Sequence, residues 1–266
     1  MPERPQRHPM TIQSAVLEIP GMEAATVRRG VVYLDTHAGA LTLDVWSPPG
    51  AERELRPAVV FVSGFPDPGF EQRVGCKVLE MASYESWARL LTTCGFRAVT
   101  YANREPAADF LAALGHVHEH ASALGIDRRR IAIWACSGNV PTALSALMAG
   151  AAVPVAAAAL LYGYMLGAGA FAAQIGFADP CAGRTVEDVE PKVSLLVVRA
   201  GKDQTPGLND TLDRFVVGAL ARNLSLELVN CPEAAHAFDI SEDNETSREA
   251  IRGVLHFLRR ALALPR

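Results

Sequence analysis

Along the chain, short runs stay apolar at consecutive positions instead of alternating: PAVVFVSG, FRAVTYAN, RIAIWAC, VAAAALLYG and VSLLVVRAG, with LSLELVN adding another. A strand that covers a core on one side only alternates apolar with polar residues. A run that is apolar throughout is buried on both faces, as in a parallel sheet covered above and below by helices. Helix-period stretches separate these runs. Phe110, Leu114, Val117 and Leu124 recur at three-to-four spacing, as do Leu212, Phe215, Val216 and Leu220. The carboxy-terminal SREAIRGVLHFLRRAL places Ile251, Val254, Leu255, Leu258 and Leu262 on one face, with an acidic first turn and a basic last turn suited to the helix dipole. Near the start, VRRGVVYLD and ALTLDVWSP read as an antiparallel pair joined by THAG. Strands alternating with helices imply an α/β fold, a doubly wound and mostly parallel sheet of about eight strands with helices on both faces. No repeat, low-complexity tract or linker divides the chain. The expected organisation is a flexible arm over residues 1–20 and a single domain over residues 21–266.

Composition narrows the function classes. A net charge of −4 provides no basic field for a nucleic-acid backbone. The five cysteines, Cys76, Cys94, Cys136, Cys181 and Cys231, show no CxxC or ligand-like spacing, which fits reduced thiols in the cytoplasm. The start MPERPQRHPM is polar and Pro-rich with no apolar run behind it, so no secretory signal is expected. Residues Ile131 to Ala178 lack Asp, Glu, Lys and Arg, and Ala151 to Ala170 alone is long enough to span hydrocarbon. Pro154, Gly163, Gly167 and Gly169, an apolar content that is mostly alanine and the lack of a flanking basic cluster argue instead for a buried strand and small-residue helices.

The sharpest chemical signal is IAIWACSGNVPTALSAL. A hydrophobic strand stops at Ala135-Cys136-Ser137-Gly138-Asn139, and a helix follows with Pro141 in its first turn. Small residues around a serine at such a junction allow a strained turn that exposes Oγ and aims the next backbone N–H at a developing oxyanion. The usual pattern is G-x-S-x-G, and Ala135 and Asn139 occupy its outer positions here. An ordinary strand-to-helix turn with Ser137 as helix cap is the bland alternative. Shifting the register to make Cys136 the nucleophile would put Trp134 where a small residue is needed, so Cys136 reads as a buried small hydrophobe beneath the turn.

Two further residues follow in the order expected of a triad, serine then acid then histidine. VSLLVVRAGKDQTPGLN is a buried strand leading into a polar loop with Asp203, and LSLELVNCPEAAHAFD is a strand followed by a small-residue loop with His236. Imidazole takes the serine proton, while a carboxylate fixes its tautomer and stabilises imidazolium. Upstream, VVFVSGFPDPGF offers the backbone N–H of Phe65 to pair with that of Gly138 as an oxyanion hole.

Together these segments resemble the α/β-hydrolases, over roughly Val31 to the carboxy terminus. SGFPDPG is similar to their HGFPG-type loop, with Ser63 in place of histidine; WACSGN resembles their elbow and RAGKD their acid turn. AAHAFD resembles the histidine turn of the dienelactone-hydrolase group, whose serine-esterase relatives the chain resembles through Ser137. The resemblance implies the α/β-hydrolase fold with a short lid, and hydrolysis of small, short-acyl carboxylic esters or lactones through an acyl-enzyme without metal or organic cofactor. A thioesterase, amidase or acyltransferase on the same site, a cofactor-independent lyase and a non-catalytic binding relative are the alternatives. The expected partner is a small-molecule ester, with no nucleic acid and no membrane; a homo-oligomer is left open.

Arg104, in TYANREP, lies where dienelactone-hydrolase-like proteins carry a substrate-facing arginine, although a surface ion pair with Glu105 explains it as well. Tyr84 and Trp87 in SYESWARL are candidates for pocket or core. His116, His118 and His120 in HVHEH invite a metal reading that lacks a third ligand, so no metal is expected. The segment from Tyr164 to Glu190, inserted before the sheet resumes, reads as a thin lid.

Overall fold

The computed structural model describes residues 7–51, 54–150, 154–167, 169 and 179–264 of the 266-residue chain. Eight strands form one sheet: β1 (Thr26–Leu34), β2 (Leu41–Ser47), β3 (Arg56–Phe61), β4 (Arg97–Tyr101), β5 (Ile126–Cys136), β6 (Ala157–Leu161), β7 (Ser194–Ala200) and β8 (Leu226–Cys231). Their order across the sheet is β1-β2-β4-β3-β5-β6-β7-β8. β2 runs antiparallel to β1 and β4, and every other pairing is parallel. Each strand-like run of the sequence occupies one of these strands. The all-apolar runs lie centrally, where β3, β4 and β6 are buried along almost their whole length.

Helices cover both faces. On one side α3 (Pro106–Glu119), α4 (Val140–Leu147) and α5 (Leu208–Ala221) bury Phe110, Leu114, Leu144 and Leu212 against the sheet. On the other, α2 (Ala82–Thr93) and the long helix Glu245–Ala261 bury Trp87, Leu90, Leu91, Ile251 and Leu258. Right-handed crossovers account for the division. The chain steps from β3 to β4 in one direction and thereafter from β5 to β8 in the other. The reversal therefore opens between β3 and β5, and ligands on open α/β sheets bind at such a switch point, outside the carboxyl ends of the strands.

Two helical expectations need correction. α3 ends at Glu119, so Leu124 lies beyond it, buried in the turn that leads into β5. Leu220 of α5 is 59% exposed; of the four expected residues, Leu212, Phe215 and Val216 alone are buried against the sheet. Residues 8–20, expected as a loose arm, hold defined contacts with the domain, and Thr11 is fully buried. Among the described residues no helix is long and apolar enough to cross a membrane. The uncharged stretch instead supplies the end of β5, α4 and β6.

Candidate active site

Ser137 stands at the carboxyl end of β5 with φ of 54°, in the left-handed region that a non-glycine residue occupies only under strain. Pro141 lies in the first turn of α4, where its missing N–H costs nothing. Ser137 Oγ is 2.7 Å from His236 Nε2, and His236 Nδ1 is 2.6 Å from Asp203 Oδ2. With the ring proton on Nδ1, the serine hydroxyl donates to Nε2 and the imidazole donates to the carboxylate. Asp203 Oδ1 accepts the Thr205 N–H at 2.9 Å, and the carboxylate is fully shielded from solvent, whereas the imidazole is one-third exposed. The three expected residues therefore form one hydrogen-bonded chain, able to remove the serine proton and hand it to a leaving group.

The loops after β7 and β8 are held together by backbone hydrogen bonds. Gly201 N–H donates to Cys231 O at 2.8 Å and Lys202 N–H to Ala234 O at 2.9 Å. A Cβ on Gly201 would stand 2.3 Å from Pro232 O, so the glycine of RAGKD is what lets the acid loop meet the histidine loop. From the other side the Tyr162 ring packs edge-on against His236, with centroids 5.2 Å apart.

The loop after β3 approaches the elbow equally closely. Gly64 N–H donates to Asn139 Oδ1 at 2.7 Å, and a Cβ on Gly64 would lie 2.8 Å from Gly138 O. Asn139 Nδ2 donates in turn to Tyr84 Oη at 3.1 Å, and Tyr84 donates to Val62 O at 2.8 Å. Asn139 has φ −84° and ψ −16°, ordinary right-handed values, so the position where the elbow pattern has glycine needs none here. The amide instead ties the elbow to the loop carrying Phe65. Behind that loop, Asn103 Nδ2 donates to Ser63 Oγ at 2.9 Å, and Ser63 donates to Phe65 O at 3.3 Å. Asp67 Oδ2 accepts the Asn103 N–H at 2.9 Å, while Asp67 Oδ1 and Asn103 Oδ1 are buried without a partner. Burial pushes the Asp67 carboxyl up to about 6, against the opposing pull of the Asn103 amide and Lys77.

These elements enclose a cavity of about 120 Å³, lined in part by Phe65, Tyr84, Trp134, Ser137, Asn139 and His236. Cys136, expected beneath the elbow, is half-buried on its wall. Burial and the nearby Asp239 charge push its thiol up to about 12, which keeps it protonated and a poor nucleophile at neutral pH. Asp239 also borders the cavity. It accepts hydrogen bonds from Trp87 Nε1 at 2.9 Å and from the Tyr162 hydroxyl, and burial raises its pKa in spite of both donors. Tyr84 lies on the wall, whereas Trp87 is core.

Arg104 is elsewhere, donating to Thr36 Oγ1 and Gly39 O of the β1–β2 turn, both at 3.1 Å. The His116 and His120 rings lie tilted against each other with centroids 4.3 Å apart, and among the described residues no third ligand joins them. Of the expected lid, residues 168 and 170–178 lie outside the described residues. Among the described residues the cavity takes its lining from other segments. Sequence reasoning missed the bracing role of Asn139, for which a polar residue in a glycine position was the available sign. It also missed the amino-terminal contacts, which follow no periodicity. Asp239, a fallback for the acid role in the sequence, instead accepts from Trp87 and Tyr162.

The sheet order, the helices on both faces and the strained serine at the switch point define the α/β-hydrolase fold. Solved structures agree with that assignment. The chain is similar to the thermophilic esterase Est2 of the planctomycete Thermogutta terrifontis, at 19% identity and TM-score 0.68 over 91% of this chain and 94% of that one. It is similar to esterase LipW of Mycobacterium marinum at 19% identity and TM-score 0.67, covering 91% and 83% of the two chains. A fungal esterase of Rhizomucor miehei gives 16% identity and TM-score 0.70, covering 90% and 84%. Neither a protein-family model nor a curated protein matches the chain.

Proposed function

We propose that this chain is a serine esterase of small, short-acyl carboxylic esters or lactones, related to the dienelactone-hydrolase-like serine enzymes. The observation that carries the reading is the Ser137–His236–Asp203 hydrogen-bonded chain, facing a small cavity. His236 Nε2 takes the Ser137 proton as Oγ attacks the ester carbonyl carbon, and Asp203 stabilises the imidazolium that forms. The Phe65 and Gly138 amides receive the negative charge on the carbonyl oxygen. Collapse of the tetrahedral intermediate expels the alcohol, which takes the proton from His236, and water then repeats the sequence on the acyl-enzyme.

Cavity size supports the short-acyl preference. About 120 Å³ lies well under the 300 Å³ or more of pockets that take drug-sized ligands. Est2, of the same fold, has been solved with propionate and with butyrate bound. The five unpaired cysteines support a reducing compartment.

The test is kcat/KM for p-nitrophenyl esters from acetate to palmitate. A maximum at or below about four carbons is expected, since each methylene that finds no cover forgoes about 0.8 kcal/mol. A maximum at eight carbons or more overturns the short-acyl preference. No turnover across esters and lactones alike overturns the esterase.

A further inference from the structure

From the amino-terminal segment we infer that Met10 gates the cavity beside Ser137 and limits acyl length, a specificity role that rests on the esterase reading above. Residues 8–17 lie as a strap across three elements that surround the site. His8 N–H donates to Val74 O at the end of α1 (Asp67–Val74), at 2.9 Å. Ala15 N–H donates to Ser86 Oγ of α2, and Val16 N–H donates to Asp239 O beyond the catalytic-histidine loop, both at 2.8 Å. Thr11 is fully buried and donates to His8 O at 2.7 Å, closing a short 3₁₀ turn over Pro9–Ile12. These bonds fix the strap where the Met10 side chain joins Phe70, Val78, Met81 and Ile240 in lining the cavity.

Met10 is 39% exposed while also lining the cavity, so it stands between the interior and solvent. His236 is one-third exposed, so the alcohol it protonates has a direct way out, and the acyl group is the half of the ester left to the small cavity that Met10 borders. Methionine suits a gate: the chain is unbranched, has several rotatable bonds and adapts to what it touches. Truncating it lengthens the acyl pocket, and replacing it with a wider ring shortens it.

The experiment measures kcat/KM on p-nitrophenyl acetate, butyrate, hexanoate and octanoate for wild type, Met10→Ala, Met10→Trp and Ile12→Ala. Ile12 belongs to the same strap but is 62% exposed and does not line the cavity. In Met10→Ala the hexanoate-to-acetate ratio is expected to rise by about fourfold for each methylene newly covered. Met10→Trp should lower that ratio, and Ile12→Ala should keep the wild-type profile. Unchanged profiles in both Met10 variants, or an equal shift in Ile12→Ala, overturn the gate while the active wild type leaves the esterase standing. A wild type without ester turnover overturns both.

Discussion

Glycine at residue 139 would restore one of the two outer positions of the elbow pattern, yet the structure implies that Asn139→Gly damages the protein. The Asn139 side chain accepts from Gly64 N–H at 2.7 Å and donates to Tyr84 Oη at 3.1 Å, and it is buried. Deleting it leaves the Gly64 N–H buried without its acceptor, at a cost of about 1–3 kcal/mol. Tyr84 keeps its bond to Val62 and loses only a donor to its oxygen, which costs under about 1 kcal/mol. Glycine adds about 0.5–1 kcal/mol of backbone entropy at a position with ordinary helical angles. The expected loss is about 3 kcal/mol, read from urea unfolding. Removing one oxyanion donor outright costs about 10²–10³ in kcat. Here the loop carrying Phe65 is loosened, not deleted, so a fall of about tenfold in kcat with little change in KM is expected on a short ester. Asn139→Ala, without the backbone contribution, should lie between glycine and wild type in stability. A glycine variant as stable and as active as wild type would refute the bracing role.

Asp203→Asn and His236→Ala should each lower kcat by at least about 10³ while the protein stays folded, measured by steady-state kinetics and circular dichroism. Asp67 gives a pH signature: its carboxyl, pushed up to about 6 by burial, binds its proton more tightly in the folded chain than in the unfolded one. Its contribution therefore favours folding at low pH and is lost as pH rises from about 4 to about 6, amounting to about 2–3 kcal/mol. Asp67→Asn should match wild type in urea at pH 4 and exceed it by about that amount at pH 7; an equal difference at both pH values would contradict it. Asp239→Asn turns one acceptor oxygen into a donor facing Trp87 Nε1 or the Tyr162 hydroxyl, so a loss of about 2 kcal/mol is expected. In a chain of this size that lowers Tm by about 4–8 °C, and an unchanged Tm would show that the pair is not held by the carboxylate.

The sheet was legible because parallel strands buried on both faces leave unbroken apolar runs, and all of VVFV, AAALL and LLVV lie in or at the ends of central strands. The placement of Ser137 and Asp203 was legible because each follows such a run, and that of His236 because it follows the edge strand β8; a residue just past a parallel strand is placed at the carboxyl edge by topology alone. Contacts between loops left no comparable trace. Nothing in spacing ties Asn139 to Gly64, Asp239 to Trp87 or Val16 to Asp239, since these bonds join segments distant in sequence. The strap was unreadable for the same reason. Its turn is short and mostly exposed, and only Thr11, Ala15 and Leu17 are buried, too few to make a period. Arg104 shows the converse: position at a strand end suggested the site, but the long side chain turns to the β1–β2 turn and spends its donors there.

The most direct test of the central claim is covalent labelling with a fluorophosphonate, followed by mass mapping of the modified peptide. Only a serine activated by a neighbouring base reacts at neutral pH, so the reagent reports the assembled chain from Asp203 through His236 to Ser137. The account expects one adduct per chain on Ser137, with labelling abolished in Ser137→Ala, retained in Cys136→Ala and greatly slowed in His236→Ala. An adduct on Cys136 or Ser63, or ester turnover that survives in Ser137→Ala, would contradict it.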